Sequence, residues 1–129
     1  MSNIPANLMY TPEHEWVSAL TAEGTVRIGI TDHAQSELGD VVYVDLPEVG
    51  QDFEAQETFG EVESTKSVSD LFAPLAGEVV AVNEALEADP ALINNDPYEQ
   101  GWLIELKPKA AADLSQLLDA QAYQQQISS

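Results

Sequence analysis

Short runs rich in β-branched and aromatic residues, each closed off by turn formers, constrain this chain more than any other feature. "EWVSAL", "GTVRIGI", "DVVYVDL", "TFGEVEST", "SVSDLF", "GEVVAVN" and "GWLIELK" read as strands, separated by "AEG", "PEVGQD", "PLAG" and "NNDP". Two of them, GDVVYVD at 39–45 and GEVVAVN at 77–83, share the pattern G-[DE]-V-V-x-V-[DN]. The repetition predicts two related strand motifs packed about a pseudo-twofold, although a turn glycine followed by valines is also simply how strands begin.

Helical signals are short until the end. In "TDHAQSELG", Thr31 or Asp32 can cap a turn or two, Gln35 can complete a capping box from Asp32, and Gly39 can close it. "NEALEADPALIN" can hold another turn or two, broken at Pro90. Over 110–129, Leu114, Leu117, Leu118 and Ala122 fall on roughly one helical face, and Asp113 and Asp119 are candidate N-caps for one helix or two in series. This segment is expected to cover a sheet edge. The class is mainly β with short helices and a C-terminal helical segment.

With 129 residues, 44% of them apolar, the chain is expected to fold as one domain spanning 1–129. Its net charge of −19 argues against nucleic acid or an anionic membrane as partner, and favours basic partner surfaces. General acidity of the salt-adapted kind would give the same number. Cysteine is absent, which excludes a disulfide scaffold, a Cys-ligated zinc site and a cysteine nucleophile. The start "MSNIPANLMYTPEHEW" has neither a basic nor an apolar leader region, and no run is long enough to span a bilayer, so the expectation is a cytoplasmic protein.

Against that background Lys66 stands out, because the chain has only four Lys and Arg side chains. It lies in "GEVESTKSVSDLFAPLAGEV" between two strand-like runs. Val62, Ser64, Lys66, Val68, Asp70 and Phe72 share one parity, consistent with two short strands meeting at a turn near Thr65 and Lys66. A turn holds the lysine beyond the sheet, where another enzyme can reach it. Physics alone favours a plainer role, a surface lysine balancing Glu63 and Asp70.

"VESTKS", followed by "APLAGEVVAVN", resembles the swinging-arm carriers, the lipoyl and biotinyl domains. Met-Lys-Met of biotinyl carriers is absent, and "ESTKS" is closer to the Glu-Ser-Val-Lys-Ala of glycine cleavage system H proteins. "YTPEHEWV", "IGITDHAQSELGDVVYVDLPEVG", "INNDPYEQGWLIELKP" and "LLDAQAY" resemble H-protein segments in the same order, covering nearly the whole chain. Three positions depart from the usual pattern: Thr65 for Val, Ser67 for Ala, and Glu37 where some members carry His.

The resemblance implies a barrel-sandwich hybrid fold and a carrier that is not itself an enzyme. Lys66 would bear lipoate through an amide. The arm would take the aminomethyl group of glycine from a pyridoxal-phosphate glycine decarboxylase (P protein) to a tetrahydrofolate-dependent aminomethyltransferase (T protein). Dihydrolipoyl dehydrogenase (L protein) would then reoxidise it. Glu15 and Asp70, with Glu13 nearby, would line the resting place of the cationic amine. Glu63, Ser64, Thr65 and Ser67 would be read by lipoate-attaching enzymes. Two other readings stay open: an H-like donor of lipoyl groups to other enzymes, and an acidic interaction module with an unmodified lysine. His14 and His33 form no recognised zinc spacing and are expected to be structural or surface residues, with no metal. No acid pair, phosphate loop or nucleophile elbow marks an independent enzyme.

Overall fold

A computed structural model describes residues 4–109 and 117–128. Their strands form two antiparallel sheets. The larger runs in the order β1 (Met9–Tyr10), β2 (Glu15–Val17), β3 (Val26–Ile30), β9 (Ile104–Pro108), β8 (Gly77–Val82) and β5 (Asp52–Phe53). The smaller holds β4 (Val41–Asp45), β6 (Thr58–Ser64) and β7 (Val68–Phe72). Each run expected from the sequence contains a strand. The two unforeseen strands, β1 and β5, are two residues long and show no periodicity to read.

The inner faces of the sheets meet in one core. Val17, Val26, Ile28 and Ile30 come from the larger sheet, and Val44, Phe59, Val62 and Leu71 from the smaller. A second cluster of Leu8, Tyr10, Trp16 and Tyr123 seats helix α4 (Ala120–Ser128) against the first strands. The backbones of Tyr10 and Leu118 exchange two hydrogen bonds of 2.8 Å, so the C-terminal segment does cover the edge strand β1. Asp119 caps α4, its Oδ1 accepting from Ala122 N at 2.8 Å. Asp113, Leu114 and the rest of 110–116 lie outside the described residues.

Helix α1 (Asp32–Leu38) is capped by Thr31, whose hydroxyl accepts from Ala34 N, and closes on Gly39. The expected capping box from Asp32 does not form. Gln35 instead donates its amide to Asp32 Oδ1 at 2.7 Å and accepts from Asn94 Nδ2 at 3.0 Å. Between β8 and β9, α2 (Ala85–Ala88) and α3 (Leu92–Asn95) are separated at Pro90, as its ring requires. Among the described residues, no helix is long and apolar enough to cross a membrane.

Candidate functional site

β6 and β7 form a hairpin in which Glu63 faces Val68 and Val62 faces Ser69, leaving Thr65 and Lys66 at the tip. Two-residue hairpin turns usually need positive φ, yet neither tip residue has it. Ser64 compensates. Its hydroxyl accepts from Lys66 N at 3.3 Å and Ser67 N at 3.1 Å, and donates to Ser67 O at 3.2 Å. Thr65 N bonds Asp40 O at 3.0 Å, which ties the tip to the segment entering β4.

This tip corrects the parity read through the turn. A two-residue loop pairs even with odd positions, so Val62 and Ser64 are buried while Val68 and Asp70 are exposed. Ser64 therefore shapes the turn from beneath, buried under the tip. Glu63, Thr65 and Ser67 are exposed beside Lys66.

Lys66 is exposed, and among the described residues it forms no ion pair with a carboxylate. The expected balancing by Glu63 and Asp70 is absent. The lysine stem runs beside Gly39, where an added Cβ would lie 3.6 Å from Lys66 Cε.

A cleft of about 160 Å³ opens beside the hairpin. Glu13, His14 and Glu15 form one wall, Glu37 and Leu38 of α1 another, and Asp70 and Leu71 of β7 a third. Glu13, Glu15 and Asp70, read from the sequence as one group, do meet here. A larger groove of about 450 Å³ lies between β4 and α2, but no residue of β6 or β7 lines it. The smaller cleft is the one continuous with the lysine hairpin.

Its acids differ in kind. Asp70, Glu13 and Glu37 are exposed, whereas Glu15 is 2% exposed. Glu15 Oε1 accepts from Thr11 Oγ1 at 2.9 Å, and Oε2 accepts from Phe72 N at 3.1 Å. Phe72 ends β7, so this carboxyl joins the two sheets. Burial pushes its pKa up to about 7, against the pull of both hydrogen bonds.

Of the histidines, expected to be structural or at the surface, His14 lines the cleft and His33 lies against it on α1. Their rings lie 4.8 Å apart, and His33 Nε2 is 3.4 Å from Glu37 Oε1. His14 lines the cleft and bonds Tyr123, a partner 109 residues away that no local pattern could reveal.

The chain matches the family described as Glycine cleavage H-protein over residues 8–129. It belongs to that family. The glycine cleavage system H protein of Kocuria rhizophila is 59% identical over 125 residues, covering 97% of this chain and 98% of the relative. That of Bacteroides thetaiotaomicron is 56% identical over 122 residues, covering 94% of each. The crystal structure of a glycine cleavage system H protein from Mycobacterium marinum superposes with a TM-score of 0.89 at 48% identity, covering 98% of this chain and 100% of that one. H proteins are carriers within the glycine cleavage system rather than catalysts, and they bear lipoate covalently on a lysine. The paired sheets described above are the barrel-sandwich hybrid of lipoyl carriers.

Proposed function

We propose that Lys66 is the lysine that bears the lipoate of this H-protein family member, and that the adjoining cleft shelters the aminomethyl cargo between partners in the cytoplasm. One observation carries the reading. Strand β7 begins just past the lysine tip and contributes Ser69, Asp70 and Leu71 to the cleft. Lys66 and Asp70 are thus four residues apart, about 13 Å along an extended chain, so an arm rooted at the tip can fold back to the carboxylates.

Bound lipoate supplies a dithiolane whose sulfurs take up and release the cargo. The protein does the rest through position and charge. Exposed Asp70, Glu13 and Glu37 draw a cationic amine into the cleft, while Ile30, Leu38, Val62 and Leu71 line it with apolar surface and limit water. Amide formation removes the charge of Lys66. No carboxylate in the described structure is left without a partner by that change, because none pairs with the lysine.

The exposed hairpin, with Glu63, Thr65 and Ser67 around the lysine, is what lipoate-attaching enzymes and then the P, T and L proteins would approach. A net charge of −19 favours basic surfaces on each of them. The test is peptide mapping after incubating the unmodified protein with a lipoate-attaching enzyme, lipoate and ATP. One lipoyl group is expected, on Lys66. Lys66→Arg should fold normally, take none, and fail to support glycine cleavage with the other components. Modification at Lys107 or Lys109 instead, or full activity of Lys66→Arg, would overturn the assignment.

A further inference from the structure

Helix α4 touches the wall of the acidic cleft through the hydroxyl of Tyr123. Tyr123 is fully buried, with its ring stacked on Tyr10 at 4.8 Å. Its Oη lies 2.7 Å from His14 Nδ1 and 2.8 Å from Thr31 Oγ1. Thr31 N donates to His14 O at 3.0 Å, closing a ring of contacts. His14 sits between Glu13 and Glu15 in the cleft wall and holds φ at 72°, a left-handed conformation that residues with a Cβ seldom adopt.

Counting protons gives this chain a direction. Thr31 Oγ1 accepts from Ala34 N at 3.1 Å as the helix cap, so its own proton needs an acceptor. Among the described residues, that acceptor is Tyr123 Oη. The tyrosine proton then goes to His14 Nδ1, which must be a bare acceptor, and the ring proton resides on Nε2. The reverse direction would leave the hydroxyl proton of a fully buried threonine unmatched.

We propose that Tyr123 and Thr31 are positioning residues for the carrier cleft. The chain Thr31→Tyr123→His14 holds His14 neutral as the Nε2–H tautomer and pins the Glu13–Glu15 wall in the shape that shelters a cationic cargo. The inference rests on the cleft reading above.

The surroundings of His14 agree. His33 and Glu37 face it from α1, Glu13 and Glu15 flank it in the chain, Asp70 of β7 shares the cleft, and Tyr123, stacked on Tyr10, closes the far side. Burial and the neighbouring His33 lower the pKa of His14, with Glu37 acting the other way. A protonated His14 would turn Nδ1 into a donor, clash with the tyrosine proton, and place positive charge where a cation is to rest.

The experiment uses the full lipoylated chain. Ring ¹⁵N shifts of His14 are recorded by NMR near neutral pH for wild type, Tyr123→Phe and Thr31→Ser, and the lifetime of the loaded aminomethyl cargo is measured for each, with Asp70→Asn as a reference. Wild type should show a neutral Nε2–H ring. Tyr123→Phe keeps the stacked ring but should mix the tautomers and shorten the lifetime roughly two- to tenfold, the effect of one ordinary hydrogen bond. Thr31→Ser keeps the hydroxyl and should match wild type in both readouts. An Nδ1–H ring in wild type would overturn the proposal, as would a Tyr123→Phe protein with unchanged tautomer and lifetime. If only Asp70→Asn shortens the lifetime, the relay fails and the cleft reading stands. If Tyr123→Phe mixes the tautomers but neither variant alters the lifetime, the relay stands and the cleft reading fails.

Discussion

Residues 39–45 and 77–83 share one sequence pattern, and each supplies a strand to a different sheet, β4 to the smaller and β8 to the larger. They even bulge at the same step. The register slips between Val41 and Tyr43 in the first copy, and between Val79 and Ala81 in the second. Yet their surroundings diverge. β8 lies between β5 and β9, and its trailing Asn83 is buried, donating to Gln100 O at 2.7 Å and Trp102 O at 2.8 Å. β4 is an edge strand with Val42 and Tyr43 exposed at 49% and 57%, and the segment leading into it holds the lysine tip. A repeated motif has been fixed by packing in one sheet and left open in the other, beside the exposed lysine tip.

The two leading glycines offer the largest break in this comparison. At Gly77 an added Cβ would sit 2.5 Å from Lys107 O and 2.8 Å from Leu106 Cγ, so β8 and β9 would have to part. We expect Gly77→Ala to cost roughly 3 kcal/mol or more and to lower Tm on the order of 10 °C, read by thermal unfolding. Lys66→Arg, on the open side, should leave Tm unchanged while abolishing lipoylation. A Gly77→Ala protein that melts with wild type would mean that the second copy is not fixed by packing.

The link between the sheets comes next in size. Glu15 lies on β2 of the larger sheet and holds Phe72 N of the smaller, with a pKa raised from 4.5 to about 7 by burial. In the unfolded chain this carboxyl loses its proton near the ordinary value, while the native one keeps it until about 7. The native state therefore binds more protons in that window, and the group's contribution to stability falls as pH rises through it. Between about pH 5 and pH 8 the loss is roughly 2–3 kcal/mol. Glu15→Gln keeps an acceptor for Phe72 and a group for Thr11 but has no proton to lose. Its stability relative to wild type should therefore increase with pH across that range, as measured by denaturant unfolding. His14, whose pKa is lowered, tilts the profile the other way in both proteins and cancels in the difference. Parallel profiles for the two proteins would show that Glu15 ionises normally.

Much of this was legible in the sequence, because its carriers are local. Strands announced themselves through valine-rich runs between turn formers, and the exposed turn at Thr65 and Lys66 through its place between two of them. Glu13, Glu15 and Asp70 could be grouped only through the resemblance to H proteins, since nothing in the 54 positions between Glu15 and Asp70 signals that β2 and β7 share a cleft. The facing of β7 was misread because it depends on whether the loop holds an even or odd number of residues. The burial of Glu15, the bond from His14 to Tyr123 and the two-residue strands all arise from tertiary contacts with no local period.

The smallest effect probes the other glycine. Gly39 has φ 84° and ψ −161°, a region open to glycine and strained for any residue with a Cβ. Unlike Gly77 it is not crowded, because the nearest atom to an added Cβ is Lys66 Cε at 3.6 Å, an ordinary contact. The cost of Gly39→Ala is therefore conformational, about 1–3 kcal/mol, and falls on the junction of α1, β4 and the lysine tip. That junction is held by Asn94, whose Nδ2 donates to Gly39 O at 2.9 Å and whose Oδ1 accepts from Val41 N at 2.8 Å. If the junction presents the lysine, Gly39→Ala should slow lipoylation of Lys66 by an attaching enzyme at a temperature where the variant is still fully folded. A variant that loses stability but is modified at the wild-type rate would assign Gly39 to the fold alone, and the two copies of the motif would then differ in exposure but not in use.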